Sequence, residues 1–163
     1  MIIRTSSKNR SEYCLLHNID LGAEAGLTTE QIRMIQADAS LNLRLIVGGM
    51  HLSSQFGLTV QQIESDGFKI DERVVMGLSS DTPDSIAISM GLGVIGFSHA
   101  YSNLRPDLLI VIGDRFEAHS AAIAALPFKI PIAHVHGGEV TEGAIDDAIR
   151  HSITKLSHVH FVS

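Results

Sequence analysis

Four short segments carry most of the side chains that could do chemistry. They are Arg10 within Ser7-Lys8-Asn9-Arg10-Ser11-Glu12-Tyr13, His51 behind Gly48-Gly49-Met50, Asp114-Arg115 behind Gly113, and the run from His134 and His136 through Gly137-Gly138-Glu139 to Asp146, Asp147 and Arg150. Each follows an apolar run and reads as a loop at a strand's end, where open parallel sheets collect ligands between loops and helix N-termini. Arg10, set ahead of an expected helix start, would offer a phosphate a guanidinium and free backbone N–H groups together. A surface cluster with Glu12 is the plainer alternative. Asp114 stands at the tip of the most apolar strand, as an acid/base carboxylate or as the N-cap of the following helix. His134 and His136, two apart on an expected strand, would project to one face; that spacing serves proton transfer or metal ligation, while a deeply placed His134 is as readily a hydrogen-bonded core residue. Glu139 follows two glycines that permit close backbone approach, or is a solvated loop acid. Asp146 and Asp147 open the last expected helix, where its dipole favours carboxylates whatever their use, and Arg150 stands at i+4 from Asp146. Singly, each has an ordinary structural role, and only convergence on one rim of a sheet would make them a site.

Such a rim needs parallel strands joined by helical crossovers, and the order of patterns supplies them. Short β-branched runs at Ile2 to Thr5, Leu43 to Val47, Asp107 to Ile112, Ile130 to Val135 and His158 to Val162 read as strands, with a poorly alternating edge strand between Phe68 and Met76. Helical patterns fall between them: Val60 to Ser65 behind Thr59, Pro83 to about Asn103 behind Asp81-Thr82, Phe116 to Leu126, and about Ala144 to Leu156. The third strand from the end is apolar throughout and is expected to be covered on both faces. Gly91, Gly93 and Gly96 fall inside the longest helix, where each costs about 1 kcal/mol unless a neighbour packs close; close packing on the sheet is the expected reason. The pattern is that of a three-layer, Rossmann-like parallel α/β sheet in a single unit over 1–163. The last strand has no helix after it to cover it, which suggests a fragment or a second lobe beyond.

The chain's 163 residues and 45% hydrophobic content suffice for one core. Its formal charge of −6 offers no broad basic surface for nucleic acid, and the absence of Trp with 5% aromatics leaves little for stacking single strands. The lone Cys14 can form no internal disulfide and fits a reducing compartment. No apolar run approaches a membrane span, and Met1-Ile2-Ile3-Arg4 is too short for a signal-peptide core, so a cytoplasmic location is expected.

The segments Asn9 to Tyr13, Gly49-Met50-His51-Leu52-Ser53, Gly113-Asp114-Arg115-Phe116-Glu117-Ala118, and His134 through Gly137-Gly138-Glu139, Ile145-Asp146-Asp147-Ala148-Ile149-Arg150-His151 and Thr154-Lys155 resemble the hydrolysing UDP-N-acetylglucosamine 2-epimerases, in the branch that feeds sialic-acid and legionaminic-acid synthesis. The likeness runs from about Leu43 to the end and is weak between Cys14 and Asn42. It implies one Rossmann-like lobe of a two-lobe, glycosyltransferase-B-like fold, with the nucleotide-binding C-terminal lobe absent. The implied reaction eliminates UDP across C1–C2 to a 2-acetamidoglucal and then hydrates it with inversion at C2, releasing N-acetylmannosamine, without metal or other cofactor. Carried over residue by residue, Asp114, Asp146 and Asp147 match acid/base carboxylates and Arg10 matches a nucleotide-phosphate contact; His51, Arg115 and Arg150 fall in the matching segments as substrate-binding candidates. At His136 several relatives carry a glutamate, so either His136 or Glu139 takes that role. The resemblance also implies a UDP-sugar substrate, no measurable activity for the chain alone, and homodimers among full-length relatives.

Two other classes fit parts of the pattern. Gly113-Asp114-Arg115 with the His134/His136 pair suggests a metal-dependent phosphoesterase, which would need a fuller set of carboxylate and imidazole ligands than the motifs provide. A single lobe could also serve as a non-catalytic nucleotide-sugar-binding module. A dinucleotide fold is disfavoured because no Gly-x-Gly-x-x-Gly follows the first strand.

Overall fold

The computed structural model of the chain describes residues 2–6, 10–16, 29–53, 59–77, 80, 82–140 and 145–162, with the backbone alone at 2–6, 10–16, 29 and 31. Strands β1 (Ile2–Ser6), β2 (Arg10–Leu16), β3 (Leu41–Gly48), β4 (Glu72–Val74), β5 (Leu108–Ile112), β6 (Ile132–Val135) and β7 (Val159–Phe161) form one sheet. Helices α1 (Thr29–Ala37), α2 (Val60–Ser65), α3 (Pro83–Leu104), α4 (Phe116–Ala125) and α5 (Ile145–Leu156) connect them, and a short 3-10 turn, Gly49–Leu52, follows β3.

The sheet order is β4-β3-β2-β1-β5-β6-β7, with β2 also paired to β5. Strands β2 to β7 run parallel, as expected of crossover connections. The exception is β1, which lies antiparallel to β2 and β5. Its reason is chain length: a connection this short turns the chain straight back, whereas parallel neighbours need a dozen or more residues between them. The helix expected to start behind Arg10 is therefore a strand. Tyr13-Cys14-Leu15-Leu16 is a short apolar run of the kind whose periodicity does not separate strand from helix, and its backbone pairs with both β3 and β5.

Alternation along the strands divides the core in two. Leu109 and Val111 of β5, Ile46 of β3 and Ile132 of β6 pack against α3, α4 and α5 with Phe97, Tyr101, Ala121, Ile149 and Ile153. Ile110 and Ile112, Leu45 and Val47, and Ala133 face the other way, onto Ile32 of α1 and Val60 and Ile63 of α2. The period-2 projection of strand side chains produces both layers from one set of strands, and β5 is covered on both faces as its sequence predicts. Thr82 caps α3 by accepting the Ser85 backbone N–H at 3.3 Å, with Pro83 beside it; Asp81 and Ala144 lie outside the described residues.

Close packing accounts for two of the three α3 glycines. A Cβ on Gly93 would overlap Met76 and stand 2.9 Å from the Ser120 Cβ, and one on Gly96 would reach 2.5 Å from Val74. No helix among the described residues is long and apolar enough to cross a membrane.

Candidate functional site

The C-terminal ends of β3, β5 and β6 converge with the start of α5. The turn Gly49–Leu52 leaves β3, Gly113-Asp114-Arg115 leaves β5, and His136 to Glu139 leaves β6. Arg150, one turn into α5, ties two of these loops together. Its guanidinium holds the Asp114 carboxylate through Nη2, and its Nη1 donates to the His136 carbonyl at 2.5 Å and to Glu139 Oε2 at 3.3 Å. The Arg150 side chain is only 8% exposed and Asp114 17%, so the guanidinium is an inward clamp. Its carboxylate partners are Asp114 and Glu139 rather than Asp146, the i,i+4 partner expected on the helix, because a residue on this face of α5 meets the strand ends before it meets solvent.

Asp114 is held by that clamp and does not cap α4; Arg115 occupies the cap position, without a side-chain cap bond. His136 departs from the strand-periodic expectation too. Strand β6 ends at Val135 and His136 takes a left-handed backbone, φ 61°, so its ring does not share a strand face with His134. Its Nδ1 lies 3.0 Å from Glu139 Oε1, so in the neutral ring Nδ1–H donates to the carboxylate and Nε2 remains the other face of the imidazole.

His134 is the sealed member of the pair. It is fully buried, its Nε2–H donates to the Gly113 carbonyl at 2.7 Å, and its Nδ1 accepts from the Thr154 hydroxyl at 3.1 Å. With both ring nitrogens engaged, it locks the turn before Asp114 and presents no lone pair to a metal, which removes the ligand pair on which the phosphoesterase reading rested. Burial pushes its pKa below the ordinary imidazole value of 6.5. The unfolded chain therefore takes up the proton that the folded chain refuses, and this contribution to stability is present above about pH 6.5 and lost as pH falls through the lower folded value. His134→Gln is expected to flatten the fall in melting temperature between about pH 7 and pH 5 relative to the parent. Calorimetry of both proteins across that range checks it, and parallel curves would exclude His134 as the source.

On the opposite flank, His51 on the 3-10 turn has Nδ1 2.7 Å from the Thr59 hydroxyl. Thr59 precedes α2 as expected but makes no side-chain cap, its hydroxyl being turned to His51. Arg115 donates to Met50 Sδ at 3.1 Å and remains 35% exposed. Glu117, not singled out by its sequence position, sits beneath the same turn. It is buried, burial raises its pKa, and the Met50 backbone N–H and Arg115 oppose that rise. Gly49, at φ +62°, makes room for it, since any Cβ there would collide with the Glu117 side chain. The signal available in sequence was Gly48-Gly49 opposite an acid in the first turn of α4.

Asp146 and Asp147 open α5, half-buried, and Asp147 lies 3.6 Å from His151. Arg10 is not brought to this rim. Ser11 pairs with Leu41, the first residue of β3, and Tyr13 with Leu108, the first of β5. The start of β2 therefore lies where the parallel strands begin, at the opposite end of the strands from Asp114; the Arg10 side chain is outside the described residues.

A family model described as UDP-N-acetylglucosamine 2-epimerase matches residues 33–163. Over 157 residues the chain is 43% identical to the GDP/UDP-N,N'-diacetylbacillosamine 2-epimerase (hydrolyzing) of Campylobacter jejuni, covering 96% of this chain and 38% of that protein. It is 38% identical over 141 residues to the UDP-N,N'-diacetylbacillosamine 2-epimerase (hydrolyzing) of Legionella pneumophila, covering 86% and 37%. The fold resembles that of the UDP-GlcNAc 2-epimerase from Neisseria meningitidis solved with UDP-GlcNAc, at TM-score 0.67 and 19% identity over 80% of this chain and 35% of that one. The chain thus spans a little over a third of the length of these relatives. Matched by the family model over most of its length, and similar across that length to hydrolysing enzymes, it belongs to the UDP-N-acetylglucosamine 2-epimerase family.

Proposed function

We propose that the chain is the acid/base lobe of a hydrolysing 2-epimerase acting on a UDP-linked 2-acetamido sugar, of the class of UDP-N-acetylglucosamine or its diacetamido counterpart. The observation that carries this reading is the single guanidinium of Arg150 bridging Asp114 and Glu139, with His136 held on the second oxygen of Glu139. Three proton-handling groups from two strand ends are thereby fixed in one rim.

In the proposed reaction a base removes the C2 proton, the electron pair forms C1=C2, and the C1–O bond breaks with UDP leaving. Water then adds its oxygen to C1 while a proton is delivered to C2 from the opposite face. C2 has no adjacent carbonyl to acidify it, so the barrier falls only with a positioned base and a stabilised leaving diphosphate. Asp114 and the His136–Glu139 pair supply proton transfer, with Asp146 and Asp147 beside them at the start of α5. In this reading Arg115 and His51, on the flank opposite Arg150, serve the diphosphate side. The chain alone is expected to turn over neither substrate, because a second lobe would close the cleft.

The test is a chimera in which this chain replaces the corresponding segment of the Campylobacter jejuni relative, assayed in D2O with each UDP-sugar. Release of UDP with one deuterium at C2 of the manno product is expected. A folded, UDP-binding chimera that leaves protium at C2, or makes no product, overturns the reading; turnover of one sugar and not the other assigns the substrate.

A further inference from the structure

Two arginines stand on opposite flanks of the rim, and they are engaged very differently. Arg150 gives its terminal nitrogens to two carboxylates and a carbonyl. Arg115 gives Nη2 to the Met50 thioether at 3.1 Å, a weak acceptor for a guanidinium that carries five N–H donors. Among the described residues its buried Nε finds no acceptor in hydrogen-bonding range, and the buried Glu117 Oε2 finds no donor, although the two atoms lie 3.7 Å apart. Buried polar atoms are normally paired, and here two of opposite charge face one another. A movement of about 1 Å would bring them to the length of a charge-assisted hydrogen bond.

Glu117 is fixed from its other side. It lies in the first turn of α4 with its side chain 10% exposed, and its own backbone N–H and that of Met50 donate to the carboxylate. Gly49, in the left-handed region, brings the turn after β3 so near that an added Cβ would overlap Glu117 Cγ. Filling that space needs no charge, and an apolar side chain would avoid the desolvation that a buried carboxylate entails. Burial raises the Glu117 pKa, and the Arg115 charge is the largest influence opposing the rise; the cation is what makes a carboxylate tenable there. One side chain thus joins the turn that carries Met50 and His51 to the loop that carries Arg115.

A guanidinium gripped at Nε keeps its two terminal nitrogens as a fork, the edge that matches two oxygens of a phosphate. We infer that Glu117 is a positioning residue, the buried anchor that takes Arg115 at Nε and so presents Nη1 and Nη2 to the diphosphate of the substrate. The inference rests on the proposed placement of Arg115 on the diphosphate side. A phosphate oxygen is a far stronger acceptor than a thioether sulfur, so it takes Nη2 from Met50 while Nε closes on Oε2. Glu117 itself touches no substrate and acts through Arg115.

Binding of UDP and of uridine to the two-lobe chimera, with circular dichroism as a check on folding, separates this from a merely structural role. Glu117→Gln keeps the shape and still accepts from the Met50 N–H, but removes the charge. It is expected to weaken UDP about tenfold, in the range for a hydrogen bond to a charged group. Uridine, which has no phosphate, should change by less than about twofold. In an Arg115→Ala background the same substitution should alter UDP affinity by less than about twofold, because the anchor then holds nothing. Equal losses for UDP and uridine, or a tenfold loss that persists without Arg115, overturn the inference. UDP binding needs no turnover, so a chimera that binds UDP and forms no product sinks the proposed reaction and leaves this measurement readable. If Arg115→Ala leaves UDP affinity unchanged, the diphosphate placement of Arg115 falls and the anchor with it; if Arg115→Ala weakens UDP and Glu117→Gln does not, the anchor alone falls. The parent chain gives a second readout that requires no variant to fold. In its NMR spectrum at neutral pH the Arg115 Nε–H should exchange with solvent at least about tenfold more slowly than that of the exposed Arg105, and equal rates would overturn the anchor.

Discussion

Arg150→Met is expected to lower the unfolding free energy by about 3 kcal/mol, in the range for removing one partner of a buried ion pair. For a chain of this size that is a fall in melting temperature of roughly 10 °C. The cost arises because the Asp114 carboxylate is mostly buried and the arginine is its clamp, and because the His136 carbonyl loses a donor in the same step. Glu139, at 37% exposure, can turn to solvent and contributes less. Adding Asp114→Asn should recover a substantial part of the loss, since it removes the charge that the first substitution stranded. Denaturant unfolding of the two single variants and the double variant measures the coupling. A single-variant change below about 1 kcal/mol would mean that the pair behaves as an exposed surface bridge.

That clamp marks the limit of what was legible in the sequence. Asp114, His136 and Glu139 were visible as polar residues close behind apolar strands, because strand ends can be read from where β-branched runs stop, and Arg150 as a cation on the helix that follows. Elements with a strong local signal also came through: α2 has the span read from Thr59 and Asp66-Gly67, and α3 starts at Pro83 and ends one residue past Asn103. What the side chains do once there depends on contacts across long stretches of chain. Arg150 reaches Asp114 rather than Asp146 because α5 packs on α4 and β6, beside the loop that leaves β5, a tertiary fact without a local signature. The left-handed turn at His136 reoriented a ring that strand periodicity had aimed elsewhere. Helix α1 went unanticipated, since Ile32 and Ile35 are its only inward apolar anchors among the described side chains. Arg10 went to the far rim because an apolar run of four residues filled a gap between two strands.

Asp114→Asn should invert the ranking that Arg150→Met sets. Its effect on stability is expected to be the smaller, because an amide keeps the shape, still accepts from the guanidinium, and leaves no uncompensated carboxylate, while Arg150 retains Glu139 and the His136 carbonyl. Its effect on catalysis should be far larger. An amide cannot take or return a proton, and a positioned acid/base group contributes about 10²- to 10⁴-fold, so turnover by the completed two-lobe chimera should fall by about that factor with UDP affinity little changed. His136→Gln is expected to act in the same direction, whereas Glu139→Gln should fall short of both if the glutamate acts through the ring it holds. The distinction can be read from deuterium: if Asp114 handles the C2 proton, exchange at C2 and release of UDP should fall together in Asp114→Asn. Loss of UDP release with exchange at C2 intact would instead assign Asp114 to the leaving-group side, and unchanged rates for both would remove it from the chemistry.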